Sequence, residues 1–339
     1  NLPRLNYPTY GGCPSLLVEP QRTNLTSSSN NFTVDWTNSS CTITNNTSIS
    51  PENIQNATTI ESAAGTSFIS DNTISIVIGT TYTFSVFVKK INAQFIRLGH
   101  QSSSNTGCWF DLDNGSVLTV NSQNATIKKY KNGWYRITNT FVAITAGSGS
   151  SLAFIGLCDA DGSTTGPIGL QYEIYGAQIE QGSYATSYIP TSGSTITRNE
   201  DKALYAGLGT TDTFNDDEGV LFIETEALFN NTEPRGININ AGNGSNRVLI
   251  AYPSSASSTI LGYTQSTAGS GSSMSAVGID TTQKHKVAIK YELNNTSFWV
   301  DGVRRGLDTS VAMPVGLKQL DFSNGIGTGV AEYRGNLNA

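Results

Sequence analysis

Charge and histidine are both scarce in this 339-residue chain. Charged residues make up 14% of it, against about 25% in ordinary soluble domains, and the net charge is −6. No basic stripe stands out, which argues against a nucleic-acid partner. Only two histidines are present, His100 and His285, so there is little material for histidine-ligated metal sites or histidine-dependent triads. This scarcity is the main argument against catalysis.

Long apolar runs and helical periodicity are also missing. No run of about 20 apolar residues occurs, so we expect no membrane insertion, and no window of a dozen residues combines a 3.6-residue period with helix caps. The N-terminal Asn-Leu-Pro-Arg has neither a start methionine nor the regions of a signal peptide, so the chain is expected to be a fragment or a processed form. Hydrophobic residues still reach 37%, which is enough to form a core.

The cysteines give no metal or redox motif. Cys13, Cys41, Cys108 and Cys158 include no C-x-x-C pair, so neither a zinc ribbon nor a redox site is expected. Their even number allows two disulfides. We favour the alternative, isolated thiols in the core, because a chain of this length does not need disulfides for stability.

Strand patterns, in contrast, occur along the whole chain. Residues 81–89 alternate so that Tyr82, Phe84, Val86 and Val88 share one face, and turn dipeptides such as Asn114-Gly115 separate the short strands. A second set of strands follows from residue 219 onward. The sequence therefore predicts an all-β chain with two antiparallel β-sandwich (jelly-roll) domains in tandem.

Composition places the domain boundaries. Residues 1–30 contain four prolines and are predicted to form an extended lead-in. Residues 31–199 are predicted to form the first sandwich and residues 200–339 the second. The boundary near residue 200 follows residues 181–199, a stretch rich in Ser, Thr and Gly that is predicted to be the end of the first domain plus an ordered linker.

Three segments resemble bacteriophage structural proteins of the tail-fibre and head-fibre type. They are residues 11–25 (GGCPSLLVEPQRTNL), 132–137 (NGWYRI) and 176–199 (GAQIEQGSYATSYIPTSGSTITRN). In such proteins a carbohydrate-binding-module-like jelly roll follows the first segment, and the third closes it. The chain after residue 200 resembles a concanavalin A-like (laminin G-like) lectin domain. Such domains continue past a segment like EYRGNLNA into a last strand, so either more chain follows here or that strand comes from elsewhere.

The resemblance implies a function. It describes a component of a virion fibre or spike, on the virion surface, that binds a host-surface polysaccharide or glycan for adsorption without being an enzyme. It also implies a homotrimer in contact with other virion proteins. The alternative is a secreted bacterial carbohydrate-binding or adhesin module from a larger polysaccharide-degrading protein. An active glycoside hydrolase or lyase within the chain has the least support.

Strand alternation also predicts a sugar-binding surface. Aromatic faces stack on sugars, while Arg and Asp side chains hydrogen-bond their hydroxyls. The residues predicted to point away from the cores are Phe87, Arg97, Trp109, Asp111, Trp134 and Arg136 in the first domain and Trp299 in the second. If their strands share one sheet, the first six form a platform. The alternative is that the lead-in, the linker or a neighbouring subunit covers that face, and Trp299 equally has a structural alternative.

Acidic residues give weaker signals. Glu224 and Glu226 are predicted to share a strand face about 7 Å apart, a separation compatible with glycosidases. The run nevertheless lacks the E-x-D-x-x-E pattern of concanavalin A-like glucanases, so we predict no catalytic residue. No cofactor is predicted either. Acidic residues in loops could bind Ca²⁺ through their carboxylate oxygens; the alternative is that these acids are simply solvated. These acids are Asp159, Asp161, Asp216, Asp217 and Glu218.

Overall fold

The strands account for nearly all of the regular structure. The computed structural model describes residues 4–6, 14–100, 107–144, 147–148, 153–201, 214–230, 234–253, 257–323 and 333–338. Within these ranges the only helical element is a single 3-10 turn at Lys131–Gly133, and no helix there is long and apolar enough to cross a membrane. The all-β prediction is confirmed.

The chain divides into two compact units. We call Gln21–Asn199 the central unit, and Asn1–Pro20 together with Glu200–Ala339 the composite unit. The first eighteen strands are β1 (Arg4–Asn6), β2 (Ser15–Val18), β3 (Arg22–Asn24), β4 (Trp36–Ser39), β5 (Cys41–Ile49), β6 (Gln55–Ser62), β7 (Ser67–Asp71), β8 (Ser75–Ile76), β9 (Thr81–Lys90), β10 (Phe95–His100), β11 (Cys108–Asp111), β12 (Ser116–Val120), β13 (Asn124–Lys129), β14 (Trp134–Val142), β15 (Gly147–Ser148), β16 (Ala153–Cys158), β17 (Gln171–Gln181) and β18 (Ile196–Arg198). The remaining strands are β19 (Glu218–Ala227), β20 (Arg235–Asn240), β21 (Arg247–Tyr252), β22 (Thr259–Gln265), β23 (Ser273–Val277), β24 (His285–Glu292), β25 (Thr296–Val300), β26 (Val303–Asp308), β27 (Gln319–Asp321) and β28 (Gly335–Asn338).

The central unit is a sandwich of two six-stranded antiparallel sheets. Their strand orders are β12-β11-β10-β16-β7-β4 and β13-β14-β9-β17-β6-β5. Side chains from both sheets meet in one core, in which Phe84 and Val86 of β9 lie with Ile96 of β10 and Phe110 of β11. These are the side chains that alternation assigned to the interior, because successive residues of a strand point to opposite faces.

Strand β9 is also buried on its other face. Thr83, Ser85 and Phe87 alternate with the core residues, yet they are as buried as those are. Because both faces of β9 are covered, the burial of its residues does not show which face is the core and which is the outer face. Phe87, one of the predicted sugar-binding residues, lies on this covered outer face.

The composite unit is a second antiparallel sandwich. Its seven-stranded sheet has the order β1-β2-β28-β19-β24-β25-β26 and its five-stranded sheet the order β23-β22-β21-β20-β27. Its core contains Ile223, Val287 and Phe298 from the larger sheet and Ile250 and Ile260 from the smaller one.

The lead-in predicted over residues 1–30 does not form a separate segment. Strand β2 pairs with β28, with Leu16 opposite Leu337, and β1 pairs with β2, so these strands belong to the sheet of the composite unit. From Gln21 onward the chain belongs to the central unit, where β3 pairs with β18. Of the two neighbours of β28, β19 precedes it in the second half of the chain, whereas β2 comes from the N-terminal residues.

Replacing Val18 by alanine is expected to lower the free energy of unfolding of the composite unit by about 1.5–2 kcal/mol. Val18 is 2% exposed in the core of that unit, and each buried CH₂-sized group contributes about 0.8 kcal/mol, with a further cost for the cavity. Denaturant unfolding of the full chain measures the change. Leu5→Ala, at a position that is 46% exposed in β1, is the control and should stay within about 0.5 kcal/mol. Equal values for the two variants would contradict the pairing of the lead-in.

The described cysteines are isolated thiols. Cys41, Cys108 and Cys158 are buried and free, whereas Cys13 lies outside the described residues. Burial raises the pKa of Cys41 and Cys158 to about 12, so both remain protonated at neutral pH and are poor nucleophiles.

Candidate functional site

The six residues predicted as a platform in the central unit lie on two different sheets. Phe87 in β9 and Trp134 and Arg136 in β14 belong to one sheet, whereas Arg97 in β10 and Trp109 and Asp111 in β11 belong to the other. The sandwich core separates the two groups, since the core side chains of both sheets form one cluster between them. The prediction of a single six-residue platform is therefore wrong.

Phe87 and Trp134 point away from the sandwich core, as alternation predicts, but they are not exposed. Phe87 is 6% and Trp134 1% exposed. Together with Tyr175 they form a separate buried cluster, against which Tyr130 and Tyr188 pack. Tyr188 belongs to the linker, residues 181–199, which is one of the predicted covers, so the covered alternative describes this face correctly.

Hydrogen bonds fix this covered face. The indole Nε1 of Trp134 donates to the Ile49 carbonyl at 3.1 Å, and the Tyr188 and Ser29 hydroxyls lie 2.6 Å apart. Buried aromatic groups with satisfied polar atoms are typical of structural packing. A sugar could reach these rings only after the cover had moved.

Arg136 completes the same layer. It is 9% exposed, its Nη2 donates to Ser85 Oγ at 3.0 Å, and its guanidinium lies 5.2 Å from the Phe87 ring centroid. Contacts with neighbouring residues of the sheet thus hold the Arg136 side chain in a buried position, and its predicted exposure is wrong.

Arg97 and Trp109 form a second layer of packed side chains on the opposite sheet. The Arg97 guanidinium lies 5.1 Å from the Trp109 ring centroid and 4.5 Å from that of Phe154. Trp109 is 1% exposed, and its Nε1 donates to the Ser163 carbonyl at 2.6 Å. Burial lowers the pKa of Arg97. The predicted exposure of Trp109 is therefore wrong, and Arg97 is half-buried.

Asp111 holds a turn. Its carboxylate accepts bonds from the Asp113 N–H at 2.8 Å and from the Asn114 side chain at 2.7 Å, and Gln94 donates to it at 3.2 Å. Burial raises its pKa, but the hydrogen bonds, those from Asn114 foremost, outweigh burial and give a net decrease. These bonds fix the Asn114-Gly115 turn between β11 and β12, so Asp111 is buried rather than exposed as predicted.

Trp299 in the composite unit differs from all of these. It is 36% exposed, while its neighbour Phe298 is fully buried, so the predicted alternation along β25 is confirmed. The indole Nε1 donates to Ser297 Oγ at 3.0 Å, and the Arg304 guanidinium lies 6.0 Å from the ring centroid. One part of the Trp299 surface therefore remains available to a ligand.

An aromatic row crosses the outer face of this sheet. Phe222 in β19 lies opposite Ala288 in β24, Ala288 lies opposite Trp299, and Trp299 lies opposite Arg304 in β26. Phe222 is 51% exposed. Phe222 is not among the predicted site residues, although the same alternation along residues 219–227 that places Leu221 inside places Phe222 outside. We call Phe222, Ala288, Trp299 and Arg304 the aromatic row.

Charged side chains surround the aromatic row. Lys286, Lys290 and Glu292 alternate with the core residues of β24 and so share its outer face. Lys290 is paired with Glu292, and Lys284 Nζ lies 3.2 Å from Glu224 Oε1. The face thus combines apolar surface with both hydrogen-bond donors and acceptors.

The carboxylates and histidines considered for catalysis have structural contacts. Glu224 and Glu226 lie on one face of β19, as predicted, and Glu224 is in the ion pair with Lys284. His100 stacks on Phe141 with ring centroids 3.4 Å apart, and burial lowers its pKa to about 3. His285 has its ring nitrogens 2.7 Å from Asp301 Oδ2 and 2.9 Å from a backbone carbonyl oxygen.

Two of the loop acids considered as Ca²⁺ ligands, Asp161 and Asp216, accept hydrogen bonds from other parts of the chain. Asp161 accepts bonds from the backbone and hydroxyl of Thr119, both at 3.0 Å. Asp216 accepts the backbone N–H groups of Gly316 and Leu317 at 2.6 and 2.8 Å. In the part of the chain that the structure describes, no group of three or more His, Cys, Asp or Glu residues is placed to hold a metal ion.

Comparisons with known proteins give one similarity of structure. No protein-family model matches this chain, and no curated protein matches it. Among solved structures, the chain is similar to domains LG4-5 of the mouse laminin alpha1 chain, with 10% sequence identity and a TM-score of 0.30. That match covers 97% of this chain and 91% of the laminin chain.

Proposed function

We propose that this chain is a non-enzymatic glycan-binding component of a bacteriophage fibre or spike, and that the aromatic row is its sugar-binding surface. The observation that carries the proposal is the exposure of Trp299 and Phe222 on one sheet face. Of the four tryptophans, Trp36, Trp109 and Trp134 are at most 7% exposed. Trp299 is therefore the tryptophan whose ring a sugar reaches without rearrangement.

The geometry of the aromatic row suits a flat, weakly polar ligand. Phe222 and Trp299 are separated by the intervening strand β24, which places them roughly 10 Å apart at two strand spacings. The residue between them is the small Ala288. Sugar C–H faces stack on aromatic rings, and the Arg304 guanidinium donates hydrogen bonds in a planar fork that matches neighbouring hydroxyls or a carboxylate.

The assignment to a virion rests on the segments 11–25, 132–137 and 176–199, which resemble phage fibre proteins. A shallow site of this kind gives weak binding, and several copies held together raise the overall avidity. We therefore expect a homotrimer on the virion surface, attached to other virion proteins, that engages a host polysaccharide. The low charge fits this mechanism, because recognition then depends on hydrogen bonds and aromatic stacking rather than on electrostatic steering.

Two further observations support a non-enzymatic role. Glu224, one member of the carboxylate pair on β19, is engaged by Lys284, and His100 is a neutral core residue. The alternative, a secreted bacterial adhesin module, would use the same aromatic row. Electron microscopy of intact particles with an antibody to this chain distinguishes the two, since labelling of a fibre or spike supports the phage assignment and unlabelled particles contradict it.

Trp299→Ala is expected to weaken glycan binding at least about tenfold while lowering the free energy of unfolding by only about 1–2 kcal/mol. The reason is that the ring supplies the stacking surface but is largely outside the core. Binding of the full chain to a glycan array, followed by titration of the strongest hit, measures the effect.

Val277→Ala is the matched control, because Val277 is 71% exposed on the other sheet of the same unit. It should bind as the wild type does. If Trp299→Ala and Phe222→Ala, combined in one variant, bind the hit with unchanged affinity, the aromatic row is not the site.

A further inference from the structure

The sheet β12-β11-β10-β16-β7-β4 of the central unit carries an arginine that has no acceptor. Arg97 is half-buried, and its Nε is buried without a hydrogen-bond partner. Among the described residues, no carboxylate and no other oxygen atom pairs with its guanidinium. Burial lowers the pKa of Arg97, and no carboxylate contributes to that shift. A guanidinium offers five N–H donors, and donors that lose water without gaining an acceptor are unfavourable.

The other arginines of the central unit each have an oxygen atom within reach of the guanidinium. The pairs are Arg22 with the Glu180 carboxylate, Arg136 with the Ser85 hydroxyl and Arg198 with the Ser187 carbonyl. Arg97 is therefore the exception in this unit. Its missing acceptor points to a partner outside the chain.

The position of the Arg97 guanidinium is nevertheless fixed. It lies 5.1 Å from the Trp109 ring centroid and 4.5 Å from that of Phe154. A Cβ atom at Gly107 would come within 2.5 Å of Arg97 Nε, so the glycine lets the backbone pack closely against this side chain. The aromatic rings attract the cation but do not replace hydrogen-bond acceptors. Arg97 is thus held in place for an oxyanion, and little freedom would be lost on binding.

An apolar ring lies in the same row of this sheet. Arg97 in β10 is opposite Gly156 in β16, and Gly156 is opposite Phe68 in β7. Two strand spacings, roughly 10 Å, therefore separate Arg97 from Phe68, and Gly156 puts no side chain between them. Phe68 is half-buried, and its ring centroid lies 6.3 Å from that of Phe154. The row has a cation at one end and a partly exposed aromatic ring at the other.

We propose that Arg97 and Phe68 form a second sugar-binding site, specific for a carboxylate-bearing sugar of the uronic acid class. The planar guanidinium matches a carboxylate through two parallel hydrogen bonds, and a phenyl ring packs against sugar C–H groups. A sugar ring that carries a carboxylate supplies both groups, whereas a neutral sugar lacks the charge and inorganic phosphate lacks the apolar face. The site uses no residue of the aromatic row, so it does not depend on the function proposed for that row.

Calorimetric titration of the full chain tests this site. The probes are trigalacturonic acid and its methyl ester, which have the same rings but differ in charge. We expect the acid to bind at least about tenfold more tightly than the ester, because only the acid accepts charge-assisted hydrogen bonds. Arg97→Gln should abolish this preference. Lys128→Gln, which removes an exposed positive charge from the same unit, should retain it.

Two further variants separate binding from packing. Arg97→Lys keeps the charge but not the planar fork and should lose most of the preference for the acid. Gly156→Val leaves Arg97 in place and puts a side chain beside it. The new Cβ would lie 3.7 Å from Arg97 Cβ and 3.9 Å from Phe68 Cβ, which are ordinary contacts, so this variant should melt as the wild type does and still bind the acid more weakly. Circular dichroism melting confirms that each variant is folded.

Equal affinity of the wild type for the acid and the ester, a comparison that needs no variant, would overturn the proposal. A preference for the acid that survives Arg97→Gln would do the same. The titrations are repeated with Trp299→Ala, where the aromatic row cannot contribute; a preference seen only with Trp299 present would belong to that row and contradict the site at Arg97. A triglutamate peptide, which has carboxylates but no sugar ring, should bind at least about tenfold more weakly than the acid, and equal affinity would contradict the assignment to a sugar.

Discussion

Trp134→Ala is expected to destabilise the central unit by about 3–5 kcal/mol, the range for removal of a buried aromatic side chain. Trp134 is 1% exposed, packs in one cluster with Phe87 and Tyr175, and donates its indole N–H to the Ile49 carbonyl. Alanine leaves a cavity and removes that bond. Chemical unfolding of the full chain, followed by circular dichroism, measures the loss.

Trp299→Ala is the matched control, since it removes the same side chain from an exposed position. It should cost clearly less than Trp134→Ala, about 1–2 kcal/mol, because its ring is outside the core cluster of its unit, while it weakens glycan binding. The opposite pattern, a stable Trp134→Ala protein that no longer binds glycan, would restore the platform that the sequence analysis placed in the central unit. The two substitutions therefore separate a structural tryptophan from a binding one.

Strand alternation predicted the interior of the central unit correctly. Tyr82, Phe84, Val86 and Val88 are at most 3% exposed and lie in the main core. The reason is local, because a pleated strand places every second side chain on one face whatever the strand pairs with. The same rule separated Phe298 from Trp299 in the composite unit.

Alternation could not predict which outer faces are covered. Phe87 and Trp134 point away from the core, but Tyr188, about a hundred residues after Phe87, packs over them. Such contacts depend on where the closing segment of the domain returns, and no periodicity within a single strand carries that information. From the sequence, the exposed and the covered alternatives therefore both remained open.

The lead-in shows the same limit at a larger separation. Its prolines indicate extended backbone, and extended backbone is what β2 has. Its pairing with β28, with Leu17 opposite Asn336, joins the two ends of the chain. The sequence of such a short strand does not indicate which other strand it pairs with.

The segments that resemble phage fibre proteins have a structural role in this chain. Asn24, from the first segment, donates its side-chain Nδ2 to the Ala177 and Ile189 carbonyls at 3.2 and 2.9 Å and accepts the Ile179 N–H at 3.1 Å. Ala177, Ile179 and Ile189 all belong to the third segment. The residues that carry the resemblance therefore close the jelly roll and do not form a binding site. This is why the resemblance indicates the architecture better than it indicates a ligand.

Glu180 lies at the centre of this closure. It is fully buried, its Oε1 accepts bonds from the Thr186 N–H at 2.8 Å and from Gln178 Nε2 at 2.7 Å, and its Oε2 accepts the Thr186 hydroxyl at 2.6 Å. Arg22 Nε lies 3.6 Å from Oε2. A buried carboxylate is stable only when its hydrogen bonds and its countercharge are in place.

Glu180→Ala is expected to destabilise the central unit by about 3–5 kcal/mol, because it leaves the buried donors of Thr186 and Gln178 and the Arg22 guanidinium without their acceptor. Glu180→Gln keeps one acceptor oxygen and should cost less, about 1.5–3 kcal/mol. Asp159→Ala, at an exposed acid of the same unit, is the control and should stay within about 0.5 kcal/mol. Urea unfolding of the full-length variants measures all three.

A double-mutant cycle with Arg22→Ala then tests whether the charge pair joins the two segments. If it does, the cost of Glu180→Ala should fall by about 0.5–3 kcal/mol when Arg22 is already absent, the range for residues in one network. Additive costs would mean that Glu180 stabilises only its own loop through Thr186 and Gln178. In that case the closure would depend on Asn24, whose side chain bonds to Ala177 and Ile179 in β17 and to Ile189 after it. Asn24→Ala would then be the substitution that opens the jelly roll.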